Sequence, residues 1–198
     1  MEVIIVMMII GVLSVMSISG YISYRRAALL NFAADSFVSQ VKELREDTIH
    51  GDFGEEGVAK CFGFYFSFVE NGYEPTFFSQ DFIGKKKWQG EEFEYQGCAE
   101  FNAVNSDTFS ESDVFQLDSS VSVVDLIRGD GDVRPDDFVM RFSPPKGEID
   151  FSVNGGSTFE KSKEDGDEIT VTLKYGMSDE GKYQKQIKID LSNGRIEN

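Results

Sequence analysis

Residues 3–22, VIIVMMIIGVLSVMSISGYI, run for 20 positions without a charge and with apolar residues on every face a helix would offer. That length matches the ~20 helical residues needed to cross a ~30 Å hydrocarbon core. A buried core helix seldom runs so long with apolar residues all round. A cleaved secretory signal would have an apolar core of only ~7 to 15 residues, basic residues before it and a small-residue cleavage site after it. Neither pattern is met. Helix formers continue through Arg25, Ala27, Leu30, Ala34 and Lys42 to Glu46, and no proline occurs before Pro75. In this second stretch the apolar positions become one-sided. Leu30, Ala33, Phe37, Val41, Leu44 and Thr48 follow spacings of three and four, while Asp35, Gln40, Lys42, Glu43 and Glu46 fall on other faces. The pattern predicts one helix from residue 3 to about 48, ~70 Å long. Its membrane part covers residues 1–24 and its amphipathic continuation residues 25–50, with His50, Gly51 and Gly54 closing it.

Downstream the period changes from 3.6 to 2. In CFGFYFSFVE the residues Phe62, Phe64, Phe66 and Phe68 alternate with others, which predicts a strand with one strongly apolar face. TFFSQDFI, EFEYQG, VSVVDLI, FVMRF, EIDFSV, ITVTLKYG and KQIKIDL are further strand candidates. NGYEP, GKKKWQGEE, RGDGDVRPDD, SPPKG, NGG, KEDGDE, GMSDEGK and SNG separate them as expected turns. The expected fold class is therefore α+β: a long N-terminal α-helix packed on a C-terminal antiparallel β-sheet domain over residues 51–198. No internal repeat is evident.

With 198 residues the chain suits one domain plus an appendage. Its charge is uneven. Residues 51–198 carry 30 acidic and 15 basic side chains, a balance of −15 in a total of −16. Such a surface repels phosphate backbones, so nucleic acid is not an expected partner. Two cysteines and a single histidine exclude a Cys/His zinc cluster and a disulfide-dense scaffold.

Glu2, at the border of the apolar run, is either an interfacial acid favouring the helix N-terminus or a carboxylate awaiting a partner. Followed by VIIVMMIIGVLSVMSISGYISY, it resembles the N-terminal segment of type IV pilins and type II secretion pseudopilins. In that register Glu2 matches the family glutamate, and Tyr21 and Tyr24 match its recurring tyrosines. Ser19 stands where the family usually has a mid-helix proline, and Ser17, Ser19 and Gly20 are weak helix formers at which the helix is expected to unwind in a filament. Phe142-Ser-Pro-Pro-Lys-Gly147, then ITVTLKYG and KQIKIDLSNGRI with its closing Gly194-Arg195, resemble H-type pseudopilins and FimT-like minor pilins most.

The resemblance implies a pilin-like fold and a structural, non-enzymatic role. It implies a subunit anchored by a single pass in the bacterial inner membrane, with its C-terminal domain extracytoplasmic, that enters a cell-surface or periplasmic filament. The implied partners are inner-membrane lipid before assembly, other pilin or pseudopilin subunits through the N-terminal helix, and a prepilin peptidase, with N-methylation, if a leader precedes Met1. Arg25 and Arg26 after the span, read by the positive-inside tendency alone, point the other way. The alternative is a membrane-tethered β-domain that binds an extracellular ligand or partner and never polymerises.

The remaining chemistry is sparse. There is no G-x-S-x-G, and no carboxylate pair has a spacing that enforces convergence, so no enzyme is expected. Asp130, Asp132, Asp136 and Asp137 in a glycine-containing loop suit calcium, though EF-hand spacing is missing; the plain reading is an acidic hairpin tip. No other cofactor is expected. Arg128-Gly129-Asp130 is a chance tripeptide, and Lys85, Lys86, Lys87 and Trp88 read as a solvated turn. Cys61 and Cys98 are either a disulfide in an oxidising compartment or two separate buried thiols.

Overall fold

A proline-free run of helix formers becomes a single helix, α1, from Glu2 to His50, about 74 Å long at 1.5 Å per residue. The computed structural model describes residues 2–50, 60–69, 72–81, 83–88, 91–98, 110–111, 117, 120–129, 137–153, 159–162, 167–176 and 183–197. Helix α1 runs unbroken through Ser17, Ser19 and Gly20. The hydroxyls of Ser14 and Ser17 donate to the carbonyls of Ile10 and Leu13, both at 2.8 Å, and that of Ser19 donates to Met16 O at 2.9 Å. Each serine thus satisfies its hydroxyl within the helix, which lets it sit at an apolar position.

The two halves of α1 behave as their patterns require. The first half is exposed and packs against nothing among the described residues. The second buries the predicted stripe, Leu30, Ala33, Phe37, Val41, Leu44 and Thr48, together with Ala34. Thr48 satisfies its hydroxyl by donating to Leu44 O at 2.8 Å.

Eleven strands follow among the described residues. β1 (Lys60–Val69), β2 (Gly72–Asp81), β5 (Ser110–Glu111), β6 (Val121–Arg128), β7 (Asp137–Ser143), β8 (Glu148–Ser152), β9 (Glu168–Tyr175), β10 (Gln184–Asp190) and β11 (Ile196–Glu197) form one nine-stranded antiparallel sheet. Its order is β11-β10-β9-β6-β2-β1-β7-β8, with β5 beside β2. β3 (Ile83–Trp88) and β4 (Glu91–Gln96) make a separate hairpin. The chain is α+β: one long N-terminal helix followed by an antiparallel sheet.

Period-two alternation sets what each face of the sheet does. On the helix side Phe64 and Phe66 of β1, Phe77 of β2, Phe138 of β7 and Ile169, Val171 and Leu173 of β9 are buried. Phe37 of α1 is fully buried among them, its ring centroid 5.8 Å from Phe64, 5.9 Å from Phe66 and 6.1 Å from Phe77. The other side carries a smaller layer of Phe78 and Val139 with Tyr65 and Phe159 against them. Gly63 lies between the two layers' strands because any Cβ there would stand 2.4 Å from Met140 O and 2.7 Å from the Phe78 ring.

Two expected turns are strands instead. NGYEP contributes Gly72–Pro75 to β2, paired with β1 from Val69↔Gly72 to Phe66↔Pro75. Pro75 is accommodated because β2 meets β6 only at Tyr73 and β5 only at Phe78 and Ser79, so its outer edge is unpaired among the described residues where an N–H is missing. GKKKWQGEE is a hairpin: Lys85 stands opposite Glu94 and Lys87 opposite Glu92. Opposite charges across a ladder favour pairing over an open turn.

Replacing Phe37 by Ala should cost about 3–5 kcal/mol, since the cavity would open at the seat of the helix. Phe68, 57% exposed at the end of β1 and touching Tyr73, should cost less than about 1.5 kcal/mol on the same change. Urea unfolding of the detergent-solubilised head, followed by near-ultraviolet circular dichroism, compares the two.

Candidate membrane and assembly surface

The surface with the clearest chemistry is the first half of α1. Val3, Ile4, Ile5, Val6, Met7, Met8, Ile9, Ile10, Val12, Leu13, Met16 and Ile18 are all exposed in the single chain. No described residue between Val3 and Tyr24 is charged. A soluble monomer rarely leaves more than a few hundred Å² of contiguous apolar surface open, so a surface of this extent is one that lipid or protein covers. Its helix is long and apolar enough to cross a membrane. Tyr21 and Tyr24 follow at its end, 66% and 74% exposed. Glu2 is the first described residue of α1.

Where α1 leaves this apolar stretch, it meets the sheet through a contact that the pattern did not announce. The guanidinium of Arg26 lies 5.9 Å from the ring centre of Tyr175, the last residue of β9, and 5.7 Å from that of Tyr183, just before β10. One turn further along, Lys185 Nζ donates to Asn31 Oδ1 at 2.9 Å. These contacts join residues about 150 positions apart in the chain, which is why no local signal in the sequence pointed to them.

At the far end of α1 the turns after β7 and β10 approach Arg45 and Ile49. Gly147, in the turn after β7, has φ of 63°, and a Cβ there would lie 2.9 Å from Ile49 Cγ1. Gly194, with φ of 71°, would clash with Ile149 Cδ1 at 2.8 Å and crowd Arg45 Nη1 at 3.1 Å. Both positions need glycine twice over, for the left-handed backbone and for the close approach of the helix. Beside Gly194 lies a groove of about 460 Å³ bounded by Val41, Arg45 and Ile49 of α1, Phe142, and Asn193–Ile196. The two short C-terminal motifs singled out in the sequence therefore converge on the helix end.

The Gly194 turn is held by Asp190. Burial pushes the Asp190 carboxyl up, but the Ser192 hydroxyl and N–H at 2.6 and 2.8 Å and the Asn193 side-chain amide at 2.7 Å outweigh it and hold the group below the usual carboxylate range.

The other residues singled out in the sequence are placed as follows. Asp137 is exposed at the first residue of β7, while Asp130, Asp132 and Asp136 lie outside the described residues. Among the described residues no three His, Cys, Asp or Glu side chains gather to hold a metal. Arg128 is committed to Asp167 by bonds of 3.1 and 3.0 Å, and its guanidinium covers the Phe151 ring at 4.6 Å, so this tripeptide arginine is part of the domain's packing. Cys61 and Cys98 are joined by a disulfide with Cα atoms 5.9 Å apart. It ties β1 to the segment following β4. Next to it Ser143 Oγ lies 3.1 Å from Cys98 Sγ and donates to Asp150 at 2.9 Å, while Arg141 stacks 3.6 Å over Phe159.

These features define a class: an acidic antiparallel β-domain carried on a single apolar helix long enough to enter a bilayer. No family model, curated protein or solved structure matches the chain.

Two stability measurements follow from this geometry. Removing the disulfide with C61A/C98A should cost about 4 kcal/mol for a loop of 37 residues, read as a lower urea midpoint. Asp190 has a depressed folded pKa, so its contribution is present above the ordinary range near ~4 and is lost as pH falls through the folded value. The stability gap between wild type and D190N should be widest near neutral pH and narrow below about pH 4, as urea titrations across that range would record.

Proposed function

We propose that the chain is a minor pilin or pseudopilin, a structural subunit of a type IV pilus-like or type II secretion filament. It is held in the bacterial inner membrane by residues 3–22, with the β-domain on the extracytoplasmic side, and is assembled through the same helix. The observation that carries this reading is the division of α1: one continuous helix whose second half is seated on its own sheet and whose first half packs against nothing among the described residues. An apolar rod of this kind is stable wherever its surroundings are also apolar. Lipid supplies that first. Neighbouring helices supply it again when the subunit leaves the bilayer, with close packing replacing acyl-chain contacts.

Several features support the reading. The turn motif ending at Gly147 and the closing Gly194-Arg195, which carry the resemblance to H-type pseudopilins and FimT-like minor pilins, both pack on the end of α1. A Cys61–Cys98 disulfide suits an oxidising, extracytoplasmic compartment. In a filament core Glu2 becomes a buried carboxylate that needs compensation, which the N-terminal amine of an adjacent subunit supplies. Tyr21 and Tyr24 then lie at the level where neighbouring helices emerge from that core. Other pilin-type subunits, membrane lipid and a leader-removing prepilin peptidase are the partners this role requires.

The test is Glu2→Ala. Membrane insertion should be unchanged, because the apolar run is intact. Incorporation into filaments should fall about 100-fold or more, the cost of leaving one member of a buried ion pair alone being ~3–5 kcal/mol. Quantitative immunoblotting of sheared filaments against the membrane fraction measures both. Unchanged incorporation would remove the role given to Glu2. Solitary heads on the membrane in labelled electron micrographs would favour the tethered β-domain that never polymerises.

A further inference from the structure

We propose that the end of the β-sheet around Arg26 is a docking surface for the phosphates of anionic lipid headgroups, so that the domain sits directly on the membrane before assembly. This rests on the reading of residues 3–22 as a bilayer span. Arg26 lies four residues beyond Ile22, about 6 Å further along the helix axis. The headgroup layer on each side of the hydrocarbon is about 5–7 Å deep. Arg26 is therefore at headgroup depth, and so are Tyr175 and Tyr183, whose rings flank its guanidinium at 5.9 and 5.7 Å. Tyrosines at this depth match the amphipathic zone between hydrocarbon and water.

Charge supplies the second observation. The head bears 30 acidic against 15 basic residues, a field that anionic lipid repels. At this end the described residues reverse it. Arg25 and Arg26 on α1, Lys174 on β9 and Lys185 on β10 are cationic; Asp125 of β6 stands opposite Thr172, and the joining residues 177–182 add Asp179, Glu180 and Lys182, so cations outnumber acids by five to three in these segments. Lys174 precedes Tyr175, while Lys185 reaches Asn31 about 13 Å beyond Ile22 along the axis, close enough for the surface potential to act within a Debye length of ~8–10 Å. Cations thus outnumber acids in the segments that follow the span and pack beside Arg26, in an otherwise acidic domain. The same arrangement gives Arg25 and Arg26 a use on the domain's side of the membrane.

The experiment reconstitutes the full chain into nanodiscs of phosphatidylcholine alone, or of phosphatidylcholine with phosphatidylglycerol, and reads amide hydrogen exchange at residues 171–176 and 183–187. Residues 139–142 of the core serve as reference. Anionic lipid should slow exchange at the sheet end and leave the core unchanged. Each lysine or arginine near a charged surface is worth about a five-fold change in the contact equilibrium. R25Q/K174Q should therefore lower the added protection about 25-fold in anionic discs and have no effect in neutral ones, and K174E alone should lower it more than K174Q. Equal exchange in the two lipids, or protection that survives R25Q/K174Q, would overturn the proposal. Carbonate extraction of the same discs separates the two readings. A chain that is released has no span, whereas one that stays embedded without lipid-dependent protection has a span and no docking surface.

Discussion

The architecture depends on Phe37. A helix in water gains little from its backbone alone, and most helical stability in proteins comes from burying an amphipathic face. Here that burial is concentrated where Phe37 enters a ring of Phe64, Phe66 and Phe77 supplied by adjacent strands. Leu30, Val41 and Leu44 extend the seat on either side, each worth about 1.5–3 kcal/mol as apolar area removed from water. The seat fixes the rotation of α1. Rotation in turn decides that Arg26 meets Tyr175 and Tyr183, and that Arg45 meets Gly194.

Much of this was legible in the sequence because it is periodic. The stripe from Leu30 to Thr48 is a 3.6-residue pattern, and each of its members is buried. The alternating phenylalanines of β1 are a two-residue pattern; Phe62, Phe64 and Phe66 are buried as it requires, while Phe68 at the strand's end is exposed. What local signals missed is what pairing decides. Asn71, Gly72 and Pro75 have turn chemistry, yet ten residues of β1 offer a continuous partner and draw Gly72 and Pro75 into a strand. Lys85–Trp88 looks like a solvated cationic turn until Glu91–Glu94 is laid beside it.

The site was legible in the same proportion. Residues 3–22 declare themselves by composition, since a run without charge has few uses. The Arg26 contact and the convergence of Gly147 and Gly194 on α1 are set by tertiary packing, and neither has a signature within any window of sequence. The calcium expectation for Asp130, Asp132, Asp136 and Asp137 rests on composition alone. For Cys61 and Cys98 the sequence left two outcomes open, and the geometry joins them.

An unbroken α1 also makes the molecule a lever. Residues 22 to 50 extend about 42 Å beyond the apolar stretch, and no proline or gap in the helix intervenes to absorb bending. Transmembrane helices commonly tilt by about 20°, which at that distance swings the far end of the rod by about 14 Å. For a subunit anchored in a bilayer as proposed, local bilayer thickness would thereby become a mechanical input, and the height and bearing of the β-domain its output.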